Sequence, residues 1–377
     1  MKRNRLLAYS AAVGVSALVL SACSPPADES SDEPTTDSGV SANKATSVSD
    51  FGDMDGLVKA AQEEGELNVI ALPPDWANYG EIIKTFSEKY DIKVNSDQPD
   101  GASQDEINAA KQLKGTDRAP DVFDLGQSVA LANTDLFAPY QVETWADIPD
   151  EFKDPDGAWV NDYGGFMSIG YDSSKVPDVA TLDDLLGGDF KGRVALNGNP
   201  TEAGAAFSGV VMAAVANGGS ADDIAPGVEY FGKLKDAGNF LPVDPTPSTV
   251  QSGQTPVVID WDYLNAALAK DVPSWKVVVP ENAAIAGYYF QAINVDAQHP
   301  AAARLWEEFL YSDEGQNLWL KGGARPVRAE AMAEAGTIDQ ELYDALPEVS
   351  GEPVIPTNEQ TEKAASYLAD NWAKVIG

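Results

Sequence analysis

Several short stretches of this chain set acids beside aromatic rings. Asp260, Trp261, Asp262 and Tyr263 alternate carboxylate and ring at the end of an apolar run. Carboxylates next to ring faces suit an ammonium-bearing solute, through ion pairing and the attraction of a cation to the ring quadrupole. An Asp-x-Asp pair around a tryptophan is also an odd way to fill a core. Trp76 and Tyr79 offer rigid faces beside Asp75, although Trp76 could equally cover a core. Asn199, Thr201 and Glu202 stand at a helix start, where free backbone N–H groups suit an anion. Glu202 there is also favourable for the helix dipole alone. Tyr288 and Tyr289 share a strand, so period two sends one inward and leaves the other for a cleft. Gln127 and Ser128 follow another strand end, where ligands of open α/β sheets sit.

The lone cysteine, Cys23, is a different kind of site. It follows Leu20-Ser21-Ala22, and before that a basic start (Lys2, Arg3, Arg5) and an apolar run from Leu6 to Leu20. Basic, apolar, then small residues is the layout of an export signal. One cysteine can form neither an internal disulfide nor a metal cluster. A thiol at the cleavage point is a site for diacylglycerol, and the stretch resembles the lipobox of bacterial lipoproteins. The expectation is cleavage before Cys23 and a lipid on the new first residue. The apolar run is too short for a comfortable permanent span of about 20 residues.

Bulk composition narrows the classes further. The chain has 377 residues, 44% of them hydrophobic, which suits a globular protein large enough for two cores. Its net charge is −35, and loss of the three cations Lys2, Arg3 and Arg5 with residues 1–22 takes it to −38. Nucleic acid is thereby excluded as a partner, as is a long stay flat on an anionic membrane. His299 is the single histidine, which argues against most imidazole catalysis. The chain has no G-x-S-x-G elbow, H-E-x-x-H or GK[ST] loop. Asp260 and Asp262, two apart on one strand, share a face and cannot flank a glycosidic bond. The expectation is no enzyme, no metal and no cofactor, with a secreted hydrolase as the alternative.

The elements that must position these residues can be read in order. Residues 24–50 are mostly Ser, Thr, Asp, Glu, Pro and Ala with hardly an aliphatic side chain, too polar to offset the entropy of ordering; with Cys23 they form an expected tether, 23–50. Leu57 to Glu64 reads as a helix ended by Gly65. Val69 to Leu72 reads as a buried strand. Asn78 caps the next helix, with Glu81 completing a capping box and Ile82, Ile83, Phe86 and Tyr90 forming its apolar face. A helix over 104–113 and a strand over 121–125 repeat the pattern. Gly164 to Asp172 is a strand marking a change of region. Strands at 192–196, 256–260 and 275–279, with helices between them, make a second βα series. The strand at 287–295 carries the chain back, and helices at 300–311, 314–321 and 361–374 close it.

Gly65-Glu66-Leu67-Asn68-Val69, Pro120-Asp121-Val122, Phe190-Lys191-Gly192-Arg193-Val194, Val258 to Tyr263, His299-Pro300-Ala301-Ala302-Ala303, Phe309 to Gln316 and Arg325-Pro326-Val327-Arg328 together resemble the extracellular solute-binding proteins of ABC importers. The branch resembled holds ferric-ion, polyamine and aminoethylphosphonate binders, and the likeness covers roughly residues 51–330. It implies an α/β, two-lobed type 2 periplasmic-binding-protein fold, with hinge strands at Gly165–Tyr171 and Tyr288–Ile293. The lobes expected are 51–164 plus 292–377, and 165–291. The implied role is capture of a small polar solute by a monomer that is lipid-anchored outside the cell membrane, in a bacterium with no outer membrane. Delivery is to an ABC permease, or alternatively the protein signals to a sensor. A cationic, polyamine-like solute leads. Family ferric sites place their paired tyrosines earlier in the chain, so Tyr288 and Tyr289 match poorly, and a phosphonate would use the helix start at 199–204.

Overall fold

The computed structural model describes residues 39–347, 349 and 353–377. The expected signal 1–22, Cys23 and most of the expected tether lie outside the described residues. The end of that tether is nevertheless folded, so the body starts at Ser41 and not at Phe51. Ala42 and Ala45 are buried, Gln141 N donates to Thr46 O at 2.8 Å, and the Arg304 guanidinium donates to Ala45 O at 2.8 Å and Asn43 O at 3.2 Å. Two small side chains and a guanidinium distant in sequence hold a segment whose composition alone could not order it.

Helix α1 (Met54–Glu64) is capped by Asp53, whose Oδ1 accepts from Gly56 N at 3.0 Å, and ends at Gly65 with φ 75°. Strand β1 (Glu66–Ile70) pairs in parallel with β2 (Lys93–Asp97) through α2 (Tyr79–Tyr90). Asn78 does precede α2, but without the expected capping box. Its backbone is left-handed at φ 71°, and its Nδ2 donates to Glu81 Oε2 and Leu318 O. Then follow α3 (Ser103–Gln112), β3 (Val122–Leu125), α4 (Gln127–Leu131), β4 (Phe137–Ala138) and β5 (Val160–Asp172). The next run is β6 (Val194–Leu196), α5 (Gly204–Ala216), α6 (Ala225–Asp236), α7 (Pro247–Ser252), β7 (Val257–Trp261), α8 (Asp262–Leu268) and β8 (Trp275–Val278). The chain returns through β9 (Ala286–Asn294), α9 (Pro300–Leu310), α10 (Asp313–Lys321), β10 (Arg325–Pro326), α11 (Ala329–Ala335), α12 (Gln340–Asp344) and α13 (Asn358–Ile376).

One eight-stranded sheet runs β3-β9-β5-β7-β6, with β4 on β9 and both β8 and β10 on β5. Strand β5 is the spine. All 13 of its residues are buried, as expected of a strand covered on both faces. From Val160 to Phe166 its partners are β9 and β10, and from Met167 to Asp172 they are β7 and β8. The sheet therefore has two halves, and the change of partner falls between Phe166 and Met167. The expected βαβ units give the parallel ladders β1–β2 and β6–β7, while β5 and β9 run antiparallel to their neighbours.

One apolar cluster runs through both halves, with local contacts in each. In the first, Trp306 and Phe309 of α9 pack on Phe86 of α2, with ring centroids 5.0 and 5.6 Å apart. In the second, α5 buries Phe207, Val210 and Met212 near Tyr230 and Phe231 of α6. The closing helix α13 touches both. Its Trp372 meets Phe231 of α6 at 5.4 Å, and Asn358 Oδ1 accepts from Gln127 Nε2 of α4 at 3.0 Å. The stretch 292–377 thus does not stay with the first half throughout, because α13 presents a buried face (Thr361, Ala364, Leu368, Trp372) that α6 covers.

Candidate functional site

Asp124 is the penultimate residue of β3, and the β3–β9 register sets it opposite Gln291. Alternation along β9 puts Tyr289 on the same face as Gln291 and turns Tyr288 away. Tyr163 enters from β5, Trp76 from the loop before α2, Tyr79 from the first position of α2, and Trp261 and Tyr263 from the junction of β7 and α8. The rings interlock. Tyr163 stacks on Trp319 at 4.2 Å and on Tyr289 at 5.4 Å, and Trp76 stands edge-on to Tyr289 at 5.7 Å. Trp261 lies parallel to Tyr263 at 6.5 Å, and its Nε1 donates to Tyr289 Oη at 3.3 Å. The result is an aromatic chamber with residues from both halves of the sheet.

Its polar centre is a chain of hydrogen bonds that converges on one carboxylate oxygen. Trp76 Nε1 donates to Tyr163 Oη at 2.8 Å, and Tyr163 Oη donates to Asp124 Oδ2 at 2.9 Å. From the other side Gln291 Nε2 donates to Tyr79 Oη at 3.0 Å, and Tyr79 Oη donates to Asp124 Oδ2 at 2.8 Å. Each phenol accepts one bond, and its own hydrogen points at Asp124. Asp124 Oδ1 is buried and has no partner, as are Gln291 Oε1 and Tyr263 Oη. Such atoms cost free energy unless something donates to them.

The electrostatics follow from burial. Desolvation raises the Asp124 carboxyl well above the usual range, against the pull of the two phenol hydroxyls. Asp162 is raised by burial and by Asp124, and Glu106, which accepts from Asp124 N at 3.0 Å, is raised for the same two reasons. Burial also holds Tyr79, Tyr163, Tyr263 and Tyr289 well above the ordinary phenol range. On the second half, Asp260 is pushed up to about 7 by burial, although Asn197 Nδ2 and Trp261 N both donate to it at 2.8 Å. Among the described residues, none of these four buried acids pairs with a cationic side chain.

Of the expected site residues, Trp76, Tyr79, Asp260, Trp261, Tyr263 and Tyr289 come together here. The others do not. Asp262 is a structural acid: Oδ1 accepts from Phe166 N and Tyr263 N at 3.0 Å each, and Oδ2 pairs with Arg325 at 2.8 Å. Tyr288 packs on Phe152 at 4.7 Å. Gln127 is held by Pro356 O and Asn358 on the α13 side, and Ser128, next on α4, is half-buried. Asp75, Asn199, Thr201 and Glu202 are exposed. The expected anion site at 199–204 is closed on itself, since Asn199 Oδ1 accepts from Thr201 N and Oγ1 at 3.1 and 3.0 Å. The residues missed in sequence were Asp124, Tyr163, Gln291 and Trp319. Asp124 lies within the expected strand 121–125, whereas the general rule for open α/β sheets points to the loop beyond a strand end and not to a side chain within it.

Two surface concavities lie elsewhere. One, about 390 Å³, is lined by Lys175, Lys191 and Arg193 at the start of β6, whereas the chamber lies at that strand's far end. The other, about 550 Å³, lies against β1 and β2. Among the described residues no group of acids, His and Cys is arranged to hold a metal, and no helix is long and apolar enough to cross a membrane.

The sequence model of the family described as bacterial extracellular solute-binding protein matches residues 120–345. No curated protein matches the chain. Among solved structures, the chain is similar to the periplasmic binding protein AfuA from Actinobacillus pleuropneumoniae, with exogenous fructose-6-phosphate bound (18% identity, TM-score 0.63, 83% of this chain and 98% of that one). It is similar to iron-bound HitA from Pseudomonas aeruginosa (18%, 0.58, 83% and 99%). It is also similar to the spermidine/putrescine ABC transporter substrate-binding protein PotD from Streptococcus pneumoniae (16%, 0.54, 83% and 99%). At these identities the likeness shows the fold, that of two-lobed periplasmic binding proteins, and three such different cargoes show that the fold does not choose the ligand.

Proposed function

Because the chain belongs to the bacterial extracellular solute-binding protein family, we propose that it captures a small amine or guanidine cation in the chamber around Asp124 and passes it to an ABC permease. The observation that carries this reading is Asp124 Oδ1, a buried carboxylate oxygen without a donor, ringed by Trp76, Tyr163 and Tyr289. A cation with N–H groups supplies what the site lacks: charge for the acids, donors for Asp124 Oδ1 and Gln291 Oε1, and a face-on partner for the rings.

Ferric ion fits less well. Its tyrosine donors must ionise, and here the phenols are held protonated by burial and directed at Asp124, while Tyr288 and Tyr289 point apart. An anion would meet unpaired carboxylates. Titration calorimetry with putrescine, spermidine, agmatine, ferric citrate and aminoethylphosphonate tests this. Binding of the amines alone is expected; binding of the phosphonate or ferric citrate alone overturns it.

The family places the protein outside the cytoplasm. We further propose that it acts as a monomer without catalysis, so turnover of a substrate by the purified chain would count against it. The second lobe is proposed to run from Met167 to about Ile285, with β5 as one hinge strand. The anchor is proposed to be lipid on Cys23. Replacing Cys23 by Ala should release the protein into the medium, and its retention in the membrane fraction would refute the anchor.

A further inference from the structure

Gly126 and Gly204 face each other across the chamber's rim. Gly126 ends the β3 turn and precedes α4; Gly204 is the first residue of α5, so one belongs to each half. A Cβ built on Gly126 would stand 2.5 Å from Gly204 Cα and 2.9 Å from Gly204 N, and a Cβ on Gly204 would stand 2.7 Å from Gly126 Cα. No side chain at either position fits while the other loop stays in place.

Neither glycine is demanded by its own backbone. Gly126 has φ −63° and ψ 143°, an ordinary extended conformation, and Gly204 does not lie in the left-handed region. At the first turn of a helix alanine is the better residue. The only obstacle to a side chain is the opposite loop. The Gly126 loop is also fixed from behind. Gly126 N donates to Ser103 Oγ at 3.0 Å, and Val129 N and Ala130 N donate to Gly126 O. Beside the pair, Gln104 N of α3 donates to Glu202 O at 3.2 Å, a second main-chain contact between the halves. Gly204 also lies close to the chamber itself, since a Cβ there would come within 3.6 Å of Tyr289 Oη.

We infer that Gly126 and Gly204 are positioning residues for solute capture: their missing side chains set how closely the two halves meet, and hence how completely the chamber shuts. The inference rests on the two-lobed capture reading but not on the identity of the solute. A methyl group at either position holds the rim open by the width of one carbon while leaving each half intact.

Cross-linking tests this without any ligand. In the full chain with Cys23→Ser, the pair Gln104→Cys and Glu202→Cys reports how often the rim closes, read as the rate of disulfide formation on mild oxidation. Adding Gly204→Ala should slow that rate several-fold, and Gly204→Val at least tenfold. The reduced Gly204→Ala protein should melt no lower than its parent, because alanine favours the helix. Gly126→Ala tests the other side of the contact should the valine variant fold poorly. Rates within twofold of the parent in both alanine variants, or no disulfide in the parent pair, would overturn the inference. Since no solute is present, that failure is separate from a failure of the amine reading, which titration alone decides.

Discussion

At the scale of single residues, Asp124 is where structure and chemistry meet. Two phenols hold one of its oxygens and leave the other unsatisfied. Asp124→Asn keeps the shape and removes the charge, so amine affinity should fall at least about thirtyfold, the low end for removing one partner of a buried charge pair. The melting temperature should not fall, because an acid buried without a counter-charge contributes little to the empty fold. Titration and thermal melting of the same sample check both halves of this statement; unchanged affinity would remove Asp124 from the site. Much of the site's chemistry was legible in sequence, because Trp76, Trp261, Tyr263 and Tyr289 are conspicuous beside acids. Which acid keeps an unpaired oxygen was not. Asp262, flanked by the same rings, is occupied by Arg325 and two backbone N–H groups, and no spacing rule reveals a partner 63 residues away.

At the scale of elements, the strands and helices follow their local signals closely, and the departures occur where a long-range partner decides. The apolar run at 164–172 announced β5, but its extension back to Val160 depends on β9 and β10. Period two separated Tyr288 from Tyr289 without telling which faced the chamber; the Asp124–Gln291 register settles it. The most instructive departure is the segment 41–50, too polar to be read as folded. It is tied down by Arg304, which is fully buried and donates to Ala45 O, Asn43 O and Pro300 O. Arg304→Met preserves the stem and strands those carbonyls. Stability should drop by about 2–4 kcal/mol, counting one to two buried acceptors left without donors. A urea titration gives the loss, and protease cleavage before Phe51 should quicken while the rest stays protected. An unchanged midpoint would mean the segment is held by its apolar contacts alone.

At the scale of the whole molecule, acids held up by burial set the response to pH. Burial first, offset in part by hydrogen bonds or nearby Arg304, holds Glu64, Asp260 and Glu308 at about 7 and Glu307 at about 8, against about 4 in an unfolded chain. The folded form therefore keeps protons that the unfolded form gives up. Stability from these groups is complete below about pH 4 and is lost as pH rises through 7 to 8. His299, raised chiefly by its hydrogen bond to Asp121, acts in the same sense. The opposite case is Asp172, which burial raises but the Ser174 and Ser274 hydroxyls and Lys175 bring down to about 2; its contribution fades only in strong acid. Self-repulsion of a −35 chain adds to the loss at higher pH. The melting temperature should be higher at pH 5 than at pH 8, falling mainly between about 5 and 7 and levelling above that. A melting temperature that climbs over that interval would show the acids to be ionised in the fold.

The grip of Arg304 on residues 43–45 has a mechanical corollary. On the proposed Cys23 anchor, a pull along the leading segment would reach the body at α9, through the Arg304 contacts to Asn43 O and Ala45 O. The stretch from Met167 to Ile285, proposed as the second lobe, would then lie outside the path of that pull.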